Sequence, residues 1–370
     1  MINTAIISPS QNAYSETFIQ AHKRLEGNIF YYYGDKSFLH LEGEGPLPNM
    51  PKTTILKVKR KLFKKPYSYL QEQLLIKSFK KNNIQVVLAE YGVTAAIHLP
   101  AIKQLNLPLI VHFHGYDASR KDIIKRYNNY KEVFDYSSYI IVVSKKMHDD
   151  ILNMGCREEK IIYNPCGPHD KFLDISPKFT NQQFISVGRF VDKKAPYYTL
   201  LAFSKILNNY PEAKLVMAGD GVLINTCKNI AQYLGMESSV SFPGIITPEN
   251  YRKYLENSLA FLQHSITAEN GDSEGTPVAI LEASGAGLPV ISTIHAGIPD
   301  IIINGTTGLL VKEHDVDSMA QKMKVLLDNL ELAKEMGRKG KKNVYENYSI
   351  EKHLEKINHL INSAVKFRMN

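Results

Sequence analysis

Two carboxylates stand eight residues apart in Glu274-Gly275-Thr276-Pro277-Val278-Ala279-Ile280-Leu281-Glu282. Proline is well tolerated at a first helical position, where its missing N–H would have no partner anyway. The pattern therefore places Glu274 in a loop, starts a helix near Pro277 and puts Glu282 on its second turn, at roughly 1.5 Å of rise per residue. Free N–H groups at a helix start suit an anion such as a diphosphate, and carboxylates suit vicinal hydroxyls. A nucleotide sugar carries both kinds of group. Read alone, the same pair also fits the acid and base of a hydrolase.

Cations that match a diphosphate occur upstream. Val187-Gly188-Arg189 ends an apolar β-branched run, and Lys194 follows just before a helix opening near Pro196. A guanidinium fork and an ammonium point charge both suit phosphate oxygens, at ~1.5–3 kcal/mol per charge-assisted hydrogen bond. The same residues also fit an ordinary charged surface at a strand end. His112-Phe113-His114-Gly115-Tyr116-Asp117 ends another apolar run, and alternation puts His112 and His114 on one face. Three readings fit: a His-x-His metal pair, one histidine turned toward substrate, or a structural pair. A metal hydrolase of the His-x-His type places the pair on its first strand. Here it falls on about the fourth, and His98, His148, His264 and His295 form no obvious ligand series.

Short apolar runs alternate with helical patterns along the whole chain. Strands are expected at 4–8, 28–33, 85–89, 109–113 and 139–143, then at 183–187, 214–218, 239–242, 259–263, 289–292 and 309–311. Helical periodicity fills most gaps, as in 197–208, 277–285 and 317–330. This rhythm predicts an α/β protein with two doubly wound, Rossmann-like domains, their boundary within 164–180, where Pro165, Gly167, Pro168 and Pro177 interrupt both periods. Two such domains would face each other across a cleft. Ile350, Leu354, Ile357, Ile361 and Ala364 share a helix face and predict a docking helix at the C-terminus. Ala218-Gly219-Asp220-Gly221, Gly297-Ile298-Pro299-Asp300 and Thr306-Thr307-Gly308-Leu309 read as turns. Gly285-Ala286-Gly287 follows a helix and precedes a strand, the wrong order for a dinucleotide fingerprint.

The 370 residues suit two domains, and 44% are hydrophobic without any ~18-residue apolar run. Residues 1–30 lack the marks of a signal peptide. Three cysteines, Cys156, Cys166 and Cys227, contain no Cys-x-x-Cys pair and read as free buried thiols in a reducing cytoplasm. The sequons at Asn304 and Asn347 would go unused there. The formal charge of +8 is uneven: 46–71 holds no Asp or Glu but holds Lys52, Lys57, Lys59, Arg60, Lys61, Lys64 and Lys65. Ile55, Val58 and Leu62 recur among them at helical spacing, the pattern of a helix on an anionic membrane, at ~1 kcal/mol per basic residue near the leaflet. A solvated face fits too, and nucleic acid fits the charge without any accompanying motif.

Together, VGRFVDKK, AGDG, EGTPVAILEA, GIPD and TTGLLV resemble the retaining GT-B glycosyltransferases of glycosyltransferase family 4, over nearly the whole chain. FHGYD and TAENGDSEGTP resemble the bacterial exopolysaccharide and lipopolysaccharide branch. The resemblance implies an N-terminal acceptor-side domain over 1–170, a nucleotide-sugar domain over 171–348, and a helix over 349–370 that crosses back. It implies Gly188, Arg189, Lys194, Gly275, Thr276, Pro277 and Glu282 as donor-binding residues, with Arg189 and Lys194 at the diphosphate and Glu282 at the ribose. It implies His114 and Glu274 at the transferred sugar. Many relatives have a glycine-rich loop after the first strand. Here Ser8-Pro9-Ser10 stands in its place, and Ser15, Glu16 and Tyr91 become the acceptor-side candidates.

The expectation is a cytoplasmic enzyme, peripheral at the inner face of the cell membrane. It moves a hexose from a UDP- or GDP-type sugar to a saccharide acceptor, lipid-linked and part of surface polysaccharide synthesis, with retention. No cofactor and no metal is expected. A nucleotide-sugar epimerase, a non-catalytic sugar-binding protein and a metal hydrolase are the alternatives. They are separated by an epimerised donor, by binding without turnover, and by sensitivity to a chelator.

Overall fold

Strands buried on both faces read as unbroken apolar runs rather than alternating ones, and this chain carries many such runs. In the computed structural model, which describes residues 1–12, 17–34, 39–47, 57, 60–62 and 68–369, they form two sheets. One unit comprises 1–143, 147–164 and 353–370, the other 144–146 and 165–352.

The first sheet has the order β4-β3-β2-β1-β5-β6-β7-β8. Its parallel part is β1 (Asn3–Ser8), β2 (Asn28–Gly34), β5 (Val86–Glu90), β6 (Leu109–His112), β7 (Tyr139–Val142) and β8 (Ile161–Tyr163). Ala5, Ile6 and Ile7 of β1, Val86 to Ala89 of β5 and Leu109 to Val111 of β6 are fully buried. The antiparallel edge, β3 (Leu39–Leu41) and β4 (Gly45–Pro46), departs from the all-parallel expectation. These strands and β8 escape the sequence reading because two or three residues carry no measurable period. Pro46 at the outermost strand fits an edge that needs no ladder N–H.

The second sheet has the order β11-β10-β9-β12-β13-β14 and is parallel throughout. Its strands are β9 (Gln183–Val187), β10 (Lys214–Ala218), β11 (Val240–Gly244), β12 (Ala260–Gln263), β13 (Val290–Thr293) and β14 (Gly308–Val311). Successive residues of one strand enter different cores: Phe184, Leu215, Leu262 and Ile291 face one, and Ile185, Val216, Phe261 and Val290 the other. Both faces are therefore covered, as a doubly wound sheet requires.

Pro277 is not the first helical residue. It is the extended N-cap of helix Val278–Ala286, which Gly287 ends at φ +95°. The C-terminal helix runs over Ile350–Met369. Leu354, Ile357, Ile361 and Ala364 are buried within the first unit. There Asn164 Nδ2 donates to the His353 carbonyl (3.1 Å) and Lys356 Nζ to that of Tyr163 (2.8 Å).

Candidate functional site

In an open α/β sheet, ligands bind beyond the carboxyl ends of strands where the strand order reverses. In the second sheet that point lies between β9 and β12, from which the chain winds outward in opposite directions. A depression there is lined by Gly188, Arg189, Phe190, Lys194, Met217 and Gln263. The Ala218-Gly219-Asp220-Gly221 turn supports its floor. Gly219 (φ +131°) has no room for a side chain, because a Cβ would stand 1.9 Å from the Gly188 carbonyl oxygen. Gly188 N–H donates to Ala218 O (3.0 Å) and Phe190 N–H to Asp220 O (2.9 Å), which aims the loop after β9.

Lys194 ends the 3-10 turn Asp192–Lys194, after which Ala195 (φ +36°) turns the chain into helix Pro196–Leu207. Its Nζ lies 3.1 Å from Glu274 Oε1 and 3.3 Å from Gln263 Oε1. Glu274 is only 8% exposed. Its contact with Lys194 is a buried ion pair. Burial alone would raise the Glu274 pKa, but Lys194, then Lys193 and His295, outweigh it and hold the carboxyl below its usual range. Burial likewise depresses Lys194, against the pull of Glu274.

A second layer fixes this loop. Lys193 Nζ donates to Asp272 Oδ1 (2.9 Å) and to the Ser273 carbonyl (3.1 Å). The Glu274 N–H donates to His295 Nε2 (3.1 Å), so the proton of a neutral His295 sits on Nδ1 and is given to Glu313 Oε1 (2.7 Å). Glu313 Oε2 in turn accepts the Thr267 N–H (2.9 Å). Gly297 N–H donates to Gly275 O (3.1 Å), and a Cβ at Gly297 would stand 2.3 Å from that oxygen. The sequence reading does not single out Lys193, Gln263 or Glu313, although Lys193 adjoins Lys194, and it names His295, two residues beyond β13, only among the histidines without a ligand series. Thr276 and Pro277 lead into helix Val278–Ala286, whose start carries no side-chain cap. Glu282, half-buried in that helix, is pushed up to about 8 by burial, with Lys171 opposing.

In the first unit the carboxyl end of β5 delivers Glu90, which is fully buried. Its Oε1 is 2.6 Å from His22 Nδ1, and its Oε2 is 2.7 Å from His114 Nε2 and 3.5 Å from His112 Nδ1. Burial would raise Glu90, but His22, His112 and His114 outweigh it and hold the carboxyl well below its usual range. A carboxylate only accepts, so His114 donates from Nε2 and keeps Nδ1 as an acceptor when neutral. His112 and His114 thus reach one carboxylate, with ring centroids 4.1 Å apart. Burial drives His112 down to about 3, which keeps it neutral. Phe18 and Tyr91 pack on the His114 ring at 4.7 and 4.6 Å. Asp117 accepts from the N–H groups of Gly92 (2.8 Å), His114 (3.1 Å) and Gly115 (3.1 Å), locking the loop that carries His114. Glu90 is missing from the sequence reading, one residue beyond the expected end of its strand, and Asp117 enters it only as the last residue of the His112–Asp117 motif, with no role given.

Of the acceptor-side candidates, Tyr91 stands at φ +72°, directly before helix Gly92–Gln104. Ser15 and Glu16 lie outside the described residues, as do Lys59, Lys64 and Lys65 of the basic stretch. Lys57 and Lys61 are exposed and Arg60 is half-buried. Cys156, Cys166 and Cys227 are free and buried. Among the described residues, no helix is long and apolar enough to cross a membrane.

Two units, each built on a largely parallel sheet, give the chain the GT-B fold of glycosyltransferases. The chain resembles the glycosyltransferases of family 4: residues 38–169 match the domain described as Glycosyltransferase Family 4, and 171–343 match the domain described as Glycosyl transferases group 1. It is 29% identical to the WcaL protein of Salmonella typhimurium over 236 residues, 63% of this chain and 58% of that one. It is also 29% identical to the amylovoran biosynthesis glycosyltransferase AmsK of Erwinia amylovora over 241 residues, 64% of this chain and 59% of AmsK. The chain thus spans about three-fifths of the length of these curated relatives. Among solved structures, Anabaena Alr3699/HepE in complex with UDP superposes with a TM-score of 0.77 over 98% of this chain and 100% of its own, at 13% identity. That likeness concerns the fold.

Proposed function

We propose that the protein is a retaining, metal-independent glycosyltransferase that moves a hexose from a nucleotide-diphosphate sugar to a lipid-linked saccharide during synthesis of a bacterial surface polysaccharide. The observation that carries this reading is the ion pair of Glu274, a buried carboxylate, with Lys194 (3.1 Å), beside the depression that Arg189 and Lys194 line at the switch point of the second sheet. The name of AmsK supports an exopolysaccharide product, and HepE binds UDP and UDP-glucose, which supports a UDP donor.

In this reading residues 171–348 form the donor domain and 1–170 the acceptor-side domain, with the helix over 349–370 returning to the latter. Arg189 and Lys194 take the diphosphate, with the Gly188 loop and the N–H groups near Gly275 and Thr276 beside them. Pro277 gives no N–H and sets the helix start. Glu282 accepts from the ribose hydroxyls. The bond from the anomeric carbon to the phosphate oxygen breaks, and its electron pair stays on the diphosphate. Donors already in place stabilise that developing charge with little reorganisation. The acceptor oxygen attacks the same face, and its proton passes to the leaving phosphate oxygen. His114 presents Nδ1 to a sugar hydroxyl because Glu90 holds Nε2–H. Tyr91, with Ser15 and Glu16, meets the acceptor.

The exposed Lys57 and Lys61 precede Leu62, which is 73% exposed. This combination supports a peripheral position on an anionic leaflet, on the cytoplasmic side, for the stretch that includes Lys59, Arg60, Lys64 and Lys65. The test is a panel of UDP- and GDP-sugars with lipid-linked acceptors, read by product mass. The expected result is one added hexose, abolished by Arg189→Ala. An epimerised donor, or binding without product for every acceptor, would reject transfer.

A further inference from the structure

Imidazoles from three distant parts of the chain converge inside the first unit. His22 lies in the 3-10 turn His22–Arg24, His112 closes β6, and His353 lies near the start of helix Ile350–Met369. All three are buried. His22 Nε2 and His353 Nε2 face each other at 2.9 Å across 331 positions of sequence. One ring nitrogen from each of the three lies within 4.8 Å of the others. Neither ring nitrogen of His112 has a hydrogen-bond partner, although the ring is fully buried. Its nearest carboxylate oxygen, Glu90 Oε2, stands 3.5 Å away.

We propose that His22, His112 and His353 form a three-imidazole site for a divalent transition ion of the zinc class. The surroundings select this chemistry. Neutral imidazoles suit zinc at ~2.0–2.1 Å, whereas magnesium and calcium need oxygen ligands. Glu90 Oε1 takes the Nδ1 proton of His22 at 2.6 Å, which leaves the Nε2 lone pair directed toward His353. A carboxylate behind a ligating histidine is the usual support for a zinc-bound ring. Without an ion, one of the two facing Nε2 atoms must carry a proton toward the other. With an ion, both lone pairs bind it, and His112 gains the partner it lacks. Ligands on a tetrahedral ion stand about 3.3 Å apart, so the His22 and His353 rings need to separate by only a few tenths of an ångström. A water would fill the fourth position. His114 takes no part, because its Nε2 is committed to Glu90 at 2.7 Å. The ion is therefore not held by the His-x-His pair and is not routed through the transfer reaction. It pins the C-terminal helix to β6 and to the N-terminal segment. Since the site is enclosed, the ion enters as the chain folds.

The test uses the untagged full chain, produced with added zinc or cobalt and passed through metal-free buffer before elemental analysis. The expected result is about one retained ion per chain, with visible tetrahedral bands in the cobalt form. His353→Ala should lower retention at least tenfold and abolish the bands, and His353→Gln is a closer replacement should the alanine variant fail to fold. His114→Ala should keep the ion. Wild-type protein that carries no ion above a metal-free blank overturns the proposal. So does equal retention in wild type and a folded His353 variant.

Discussion

Replacing Lys194 by methionine separates the two tasks assigned to it. Lys194 Nζ lies 3.1 Å from Glu274 Oε1, and both side chains are largely enclosed. Removing one partner of a buried pair costs about 3–5 kcal/mol, because the remaining charge is stranded. Lys193 and His295 also act on Glu274, so the lower end, about 3 kcal/mol, applies. In a domain of this size each kcal/mol moves the midpoint by ~2–4 °C, so Lys194→Met should unfold roughly 6–12 °C earlier. Glu274→Gln in the same chain removes the stranded charge and should recover most of that loss. Turnover should behave differently. A lost charge-assisted hydrogen bond to the diphosphate costs ~1.5–3 kcal/mol, roughly 10- to 150-fold in kcat/KM, and the double variant should not regain it. Calorimetry and a UDP-release assay on wild type, both singles and the double supply the cycle. Equal midpoints for Lys194→Met and the double variant would refute the buried-pair argument. Recovered turnover in the double would refute the diphosphate role.

Further outcomes follow from other parts of the structure. Burial lifts Glu282 to about 8, so between the unfolded carboxyl pKa of ~4.3 and about 8 only the folded state holds that proton. Its stabilising contribution is complete at low pH and is lost as pH rises through this window. Glu282→Gln should therefore flatten the fall of the melting midpoint between pH 5 and 8, and parallel profiles would contradict the assignment. Donor binding at neutral pH should also release a proton in wild type but not in Glu282→Gln, as read by calorimetry in buffers of different ionisation enthalpy. Gly297→Ala puts a Cβ 2.3 Å from the Gly275 oxygen; it should raise KM for the donor about tenfold, a shift of ~1.4 kcal/mol, and an unchanged KM would mean the Gly275 loop does not contact donor. Charge reversal across Lys57, Lys59, Arg60, Lys61, Lys64 and Lys65 should release the protein from anionic vesicles in a sedimentation assay, and unchanged binding would reject the membrane patch.

The alternation of buried runs and helical periods was sufficient to place eleven strands within one or two residues of their observed ends. It failed where the element was too short to carry a period, at β3, β4 and β8. Strand order was not legible, because it depends on which runs pair across long separations. The sequence singles out Arg189, Lys194 and Glu274, and folding brings Lys194 to Glu274 and places Arg189 and Lys194 on one depression. The residues that orient them were not legible. His295 and Glu313 matter only because folding brings a backbone N–H, an imidazole and a carboxylate into line. Glu90 fell one residue beyond an expected strand, and its three histidine neighbours came from positions 22, 112 and 114, with His353 reached through His22. A carboxylate that binds a ligand and one that holds a histidine look alike in one dimension.

The central claim is transfer of a sugar from a nucleotide diphosphate with its configuration kept. Proton NMR of the reaction with UDP-hexose and a lipid-linked saccharide reads it most directly, through the coupling of the new anomeric proton. The account predicts free UDP together with a product carrying one more hexose in the anomeric configuration of the donor. An inverted linkage, or a donor returned as its epimer with no new glycosidic signal, would contradict it.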